Sequence, residues 1–517
     1  MRTWESLLLL ADLMAFLVLS IRQVRGRLWM RNSPAVALVA LVPLVALVMA
    51  AAQWLAEGPR WQMLPAYALT VLVLLAWLLQ NSAPMGGLNG RMWPHPTAAA
   101  VAITLGALGL AIAAALPMLV PVFRFAHPSG PYAIGTLTYH WVDASRMEAF
   151  AADPKERRQL MVQVWYPAQA NSPGPPAAYV PDADVVTAAF ARIHDRPAFV
   201  FGHFKYVTTH ARSSALAAVD QPRYPVLLFL EGATGFRQMN TFQVEHLVSH
   251  GYIVVAIDQP GVAAAVVFPD GHQADGLTVP QFHSMVRPSY MPGGTDPLKT
   301  GVLLPNGSTL HDNSIIPYLA QDVVFALDRL GALNQADPSG ILTGKLDLQH
   351  VGTFGVSLGG IVVGESCRID PRLKACLVMD AAMSIDVVKA GLQQPGMWIT
   401  RDAASMRLER QRAGGWPDAE IEVHQTSMRA VYESLSGDGY FVRVPGMFHS
   451  NFTDIASWTP LAPLLGFAGP IDSRRAQGIV NAYSLAFFDR HLVGRPAPLL
   501  DGAAKQYPGV LFESRRP

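Results

Sequence analysis

Residues 1–122 hold only ten of the chain's 77 Lys, Arg, Asp and Glu side chains, although they make up almost a quarter of its 517 residues. So few charges rule out an ordinary solvated surface there and restrict what this part of the chain can become. Four apolar segments stand out, about Trp4–Ile21, Ala35–Leu55, Leu64–Leu79 and Thr97–Val122. Each is close to the ~20 residues a helix needs to cross a hydrocarbon core. The breaks between them, "RQVRGRLWMRNSP", "AEGPRWQM" and "NSAPMGGLNGRMWPHP", carry the Pro, Gly and Trp of an interface. A signal peptide explains the first segment poorly, because three more follow and no small-residue cleavage site is evident. A soluble helical bundle would need polar faces at helical spacing, and these segments have almost none. The expectation is an all-α transmembrane domain of about four helices over residues 1–123. Its first segment carries Glu5 and Asp12, and its third is short. Arg22, Arg25, Arg27 and Arg31 in the first loop place that loop in the cytoplasm. Four spans would then put everything after Val122 on the non-cytoplasmic side; losing one would reverse that.

From Arg124 onward the texture changes. "LMVQVWY", "PVLLFL", "YIVVAID", "VGTFG", "ACLVMD", "GMWITRD" and "GYFVRV" read as strands, several of them apolar throughout rather than alternating. That pattern suits a parallel sheet covered on both faces. Helical patterns at 242–251, 318–333 and 474–494 lie between or after them. The second domain, 124–517, is therefore expected to be α/β with a mostly parallel sheet. Its Pro-, Gly- and His-rich stretch near 262–310 is too long for an ordinary connection and reads as a lid-like insertion. A net charge of +1 and the lack of a basic aromatic stripe exclude nucleic acid as a partner. The two cysteines, Cys367 and Cys376, match no zinc spacing. They read as small buried residues, or as one bridge if the domain faces an oxidising compartment. No H-E-x-x-H pair occurs among the 15 histidines, so no metal is called for.

Within this domain Gly355-Val356-Ser357-Leu358-Gly359 matches G-x-S-x-G, after an apolar strand and before a helical pattern. A nucleophilic serine on such a turn has a strained backbone, and small neighbours let strand and helix pass closely. The amide of Leu358 would meet the developing oxyanion, with a second donor from the loop "LEGATGF", at Ala233. Serine needs a histidine base, itself held by a carboxylate. Downstream lie only His424, His449 and His491. His449 alone follows a strand; His424 sits in a charged stretch and His491 near the end of an amphipathic helix. The acid stays open between Asp380 and Asp402, both at strand ends, with Asp386 more distant. Glu231 would repel an oxyanion if it pointed inward, so it is expected to face away or to be bound by a neighbour such as Arg237.

Taken in order, these segments resemble the plasma-type platelet-activating-factor acetylhydrolases, a family of α/β hydrolases. The likeness runs from about Gly130 to Leu492. "GPYAIGTLTYHWVD" and "VQVWYPAQ" are similar to the family's opening, and "LEGATGFRQMNTFQVEHLVSHGYIVVAID" to its oxyanion loop and the elements after it. "FGVSLGG", "VMDAAM", "MFHSNFTD" and "SLAFFDRHL" resemble its nucleophile, acid, histidine and final-helix segments. The family's acid lies 23 residues after its serine, which by resemblance selects Asp380. Two departures are Glu231, where the family usually has His, and the membrane segments, which its secreted members lack.

The expected protein is a membrane-anchored serine carboxylic-ester hydrolase with a Ser357–His449–Asp380 triad, acting on a lipid-like or short-acyl ester at a lipid bilayer without a cofactor. Trp398, Phe448 and Phe452 are candidate pocket walls. The rivals are the same triad used on a polyester, lactone or small peptide, and a non-catalytic membrane sensor or accessory protein built on a retired hydrolase domain.

Overall fold

The computed structural model describes residues 1–25, 41–82, 96–151, 153, 155–291, 302–303, 309–310, 315–502 and 505–516. They form two compact units, Met1–Phe123 and Arg124–Pro517.

The first unit contains helices α1 (Thr3–Arg25), α2 (Val42–Glu57), α3 (Leu64–Ser82) and α4 (Pro96–Leu119). Three stretches, Thr3–Gln23, Trp61–Leu79 and Thr97–Leu119, are long and apolar enough to cross a membrane. The second expected span is shorter here, the 16 residues of α2. Its expected start, like Arg27 and Arg31, lies outside the described residues. Small residues Ala11, Ala15 and Ala46 pack with Leu19, Leu69 and Val73 between the helices, which lets the backbones approach closely. Polar groups turn inward. Arg60 pairs with Glu5 at 2.7 Å and donates to the Val120 carbonyl at 2.6 Å. Thr70 donates to Asp12 at 2.8 Å. Leucines such as Leu10, Leu55, Leu72 and Leu79 face outward. Glu5 and Asp12 fit an apolar helix because each has a partner inside the bundle.

The second unit is built on an eleven-stranded sheet among the described residues. In chain order its strands are β1 (Ala133–Met147), β2 (Arg157–Ala168), β3 (Pro176–Ala178), β4 (Thr208–Ser213), β5 (Tyr224–Leu230), β6 (Ile253–Asp258), β7 (Leu346–Val356), β8 (Leu373–Met379), β9 (Gly396–Thr400), β10 (Gly439–Arg443) and β11 (Leu511–Arg515). Their spatial order is β11-β10-β9-β8-β7-β5-β6-β2-β1-β4-β3. From β6 through β10 all neighbours are parallel, whereas β2 and β11 join antiparallel. The two-residue period of a strand explains the continuous apolar runs. On β5, Val226, Leu228 and Leu230 enter one core layer, and Leu227 and Phe229 enter the other.

Helices cover both faces: α5 (Ala183–Ile193), α6 (Thr241–Ser249), α7 (Val279–Val286), α8 (Ile315–Gln335), α9 (Leu358–Ile369), α10 (Ile385–Ala390), α11 (Ala403–Ala413), α12 (Asp418–Ser434) and α13 (Ser473–Phe488). The helix expected over 474–494 ends its α-helical part at Phe488, and a π-type turn covers Asp489–Val493. The lid-like insertion is described chiefly over 262–291, where a hairpin of 265–267 with 273–275 precedes α7. Much of 292–314 lies outside the described residues. Cys367 on α9 and Cys376 on β8 are joined in a disulfide.

One buried ion cluster ties the antiparallel edge to the helical layer. Arg158 on β2 pairs with Asp322 on α8 at 2.6 Å and with Glu148 at 2.8 Å. Arg146 also reaches Asp322, at 2.7 Å. Burial alone would raise the Asp322 carboxyl, but the two guanidinium groups outweigh it and hold it below the usual range. Its contribution to stability is thus present above about pH 4 and is lost as the pH falls below that. Asp322→Asn leaves Arg158 with an incomplete partner set in the interior, and should cost about 3–5 kcal/mol at neutral pH. Urea unfolding of the variant checks this, and the difference from the parent should shrink in acid.

Candidate active site

Ser357 sits between the end of β7 and the start of α9 with φ 57° and ψ −124°. A non-glycine residue rarely takes this conformation, and here the surroundings enforce it. The Ser357 amide donates to the Met379 carbonyl on β8 at 3.0 Å. A Cβ on Gly359 would lie 2.1 Å from the Leu230 carbonyl oxygen at the end of β5, and one on Gly355 would lie 2.5 Å from the Gly359 carbonyl carbon. The motif's glycines are therefore a packing requirement: they let α9 start directly against the sheet, with Ser357 left half-buried at the turn.

Asp380 follows β8, also with positive φ (46°), and is completely buried. His449 follows β10 and donates from Nδ1 to Asp380 Oδ2 at 2.5 Å. The other carboxylate oxygen accepts from the Thr400 hydroxyl at 2.9 Å. Burial would raise the Asp380 carboxyl, but the Arg401 guanidinium and then His449 hold it far below the usual carboxylate range. Asp402 has a different task. Its side chain accepts from the Ser405 amide at 2.8 Å and caps α11. Asp386 lies in the first turn of α10.

Ser357, Leu358, Ala233 and Asp380 line one cavity, with Phe282, Val286, Arg287 and Tyr290 from the lid-like segment opposite. Leu358 is the first residue of α9, so its amide has no acceptor within the helix. Glu231 is buried, with no hydrogen-bond partner for either carboxyl oxygen among the described residues. Arg237 pairs with Asp258 instead, donating its own amide to that carboxylate at 2.6 Å. Burial and the neighbouring Asp258 raise Glu231 well above the usual range, against the opposing pull of Arg237.

Trp398, Phe448 and Phe452 do not line this cavity. All three are fully buried. Trp398 points from the middle of β9 into the helical layer, near Tyr432 and Phe441. Phe452 belongs to the opposite core layer. The wall is formed instead by Trp416, Glu420 and His424. Trp416 lies parallel to His424 at 5.1 Å and edge-on to His449 at 5.2 Å. The Arg401 guanidinium sits 4.7 Å over its ring. His424, expected in a surface or packing role, is buried, has no hydrogen-bond partner on either ring nitrogen among the described residues, and is pushed down to about 4 by burial. No sequence signal marks Arg401, Trp416 or His424 as site residues. Arg401 ends the strand pattern "GMWITRD", and Trp416 and His424 lie in the charged stretch after it.

Comparison with known proteins follows the same lines. The family described as platelet-activating factor acetylhydrolase, isoform II, matches residues 121–275. A probable 1-alkyl-2-acetylglycerophosphocholine esterase of Arthroderma benhamiae is 24% identical over 78% of this chain and 96% of its own. The chain is therefore similar to the platelet-activating factor acetylhydrolases. A Gallus gallus platelet-activating factor acetylhydrolase is 22% identical over 55% of this chain and 66% of its own. A ferulic acid esterase from Streptomyces cinnamoneus has 27% identity and a TM-score of 0.57, over 76% of this chain and 99% of its own. The chain is thus an α/β hydrolase of the carboxylic-ester class. The family match stops before Ser357, so the residue roles at the site rest on geometry.

Gly359→Ala tests the packing requirement. The methyl has no space before the Leu230 carbonyl, so the variant should lose roughly 2–4 kcal/mol of stability and most of its esterase activity. Thermal unfolding and p-nitrophenyl acetate turnover read the two effects.

Proposed function

We propose that the chain is a membrane-anchored serine esterase acting on a lipid-like or short-acyl ester. The observation that carries this reading is the 2.5 Å Asp380–His449 hydrogen bond beside a cavity that Ser357 lines. Ser357 Oγ attacks the ester carbonyl carbon as His449 takes its proton. The carbonyl oxygen, now negative, is held by the amides of Leu358 and Ala233. The tetrahedral intermediate collapses to an acyl-enzyme, and His449 returns the proton to the departing alcohol oxygen. Water repeats the sequence on the acyl-enzyme and frees the acid. Asp380, unprotonated through the working pH range, fixes the imidazole orientation and stabilises its cationic form. Apolar walls from Phe282, Val286, Tyr290 and Ile361 favour an apolar ester.

Ser357→Ala should lower turnover of short p-nitrophenyl esters by at least roughly 10⁴-fold, and Asp380→Asn by about 10⁴-fold. A fluorophosphonate probe should label the parent protein and fail to label Ser357→Ala. Undiminished turnover in the serine variant would sink the mechanism.

For the first unit, the outward leucines and inward ion pairs support insertion in a lipid bilayer. The arginine-rich first loop and the Cys367–Cys376 bridge favour a non-cytoplasmic hydrolase domain. A C-terminal alkaline phosphatase fusion should accordingly be active, and a C-terminal fluorescent protein that folds only in the cytoplasm should stay dark. The reverse pattern would place the domain in the cytoplasm.

A further inference from the structure

The hydrogen bond of His449 to Asp380 is not an isolated pair. Arg401, at the end of β9 and 1% exposed, places Nε 2.8 Å from Asp380 Oδ2. This is the same oxygen that accepts from His449 Nδ1. The other side of the guanidinium pairs with Glu409 on α11. Glu409 in turn accepts the main-chain amide of His449 at 3.2 Å. The four residues close a ring: imidazole, carboxylate, guanidinium, carboxylate, and back to the imidazole's own backbone.

We propose that Arg401 and Glu409 are positioning residues that set the basicity of His449 with opposed charges and fix its turn against Asp380. The proposal rests on the triad reading above. An arginine sharing the triad acid draws negative charge from the oxygen that stabilises the imidazolium, and so weakens the base. Left alone it would also favour a neutral imidazole by direct repulsion. Glu409 counters both effects with a second negative charge, and through its bond to the His449 amide it couples that charge to the position of the ring. Trp416 closes the ring from the cavity side, stacked on Arg401 and edge-on to His449. The charged and titratable groups facing His449 are Asp380 after β8, Arg401 after β9, Glu409 on α11 and His424 on α12. His424 is held neutral by burial, which leaves the Arg401–Glu409 pair as the tunable part.

The two charges should therefore act in opposite directions on the pH dependence of Ser357 reactivity. The measurement is the rate of fluorophosphonate labelling against pH, made on the full-length protein. In Arg401→Gln the imidazolium keeps all of Asp380, so the pH of half-maximal rate should rise by about one unit. In Glu409→Gln it should fall by a similar amount. The double variant should return close to the parent, and Arg401→Lys, which keeps the charge, should stay near it. Glu409 is partly exposed and its substitution is isosteric, so Glu409→Gln decides the matter even if the Arg401 variants do not fold: a rise or no change there overturns the proposal. Shifts of the same sign in both single variants overturn it too. Absence of labelling in the parent protein would instead remove the Ser357 nucleophile on which the proposal stands.

Discussion

The catalytic unit depends on one close approach, the passage of α9 over the end of β5. Gly359 lies so near the Leu230 carbonyl that no side chain fits between them. That contact determines where the helix begins, and so where the chain must reverse. The reversal falls on Ser357, whose positive φ is maintained by bonds on both sides, its amide to β8 and its carbonyl to the first turn of α9. Strain of this kind, on the order of 1–3 kcal/mol, persists only where packing leaves no alternative. The same geometry leaves Ser357 at the cavity with the first amide of α9 beside it. The proposed nucleophile and oxyanion donor thus share a single steric constraint.

Around this turn the interior carries several carboxyl groups, and each is handled differently. Asp380 is kept ionised by a guanidinium and a hydrogen-bonded imidazole. Asp258 is met by Arg237. Glu231, one residue beyond β5, has neither kind of hydrogen-bonded partner, and burial and Asp258 raise it well above the usual range. A buried carboxyl without a cation avoids the cost of ionisation by keeping its proton. A raised Glu231 would let the proposed oxyanion loop carry a glutamic acid without opposing negative charge beside it.

These differences explain what could be read from the sequence. The parallel sheet was legible because its strands are buried on both faces and so are apolar throughout. The turn at Ser357 was legible because its glycines have a steric reason, and the place of His449 after a strand because only one downstream histidine follows one. Asp380 and Asp402 could not be separated by strand-end position alone; one accepts the His449 hydrogen bond and the other caps a helix, and both tasks suit an aspartate after a strand. The cavity wall was not legible. Aromatic character suggested Trp398, Phe448 and Phe452, yet large aromatics beside a sheet are mostly core, as all three are. Trp416 and His424 sit among charged residues whose helical pattern gives no hint that one turn folds back over the site. Arg401 lies at the end of a strand, and only the fold brings it against Asp380.

The first unit shows the complementary case, in which composition says a great deal and spacing little. Glu5 and Asp12 sit in an apolar segment and weaken its reading as a span when judged by sequence alone. In three dimensions Arg60, Arg2 and Thr70 meet them inside the bundle. A surface of leucine around an interior of paired polar groups suits an apolar medium, because water would favour the reverse arrangement. The proposed insertion in a bilayer therefore does not depend on how many segments reach twenty residues. It depends on which way the side chains face, and the polar ones face each other.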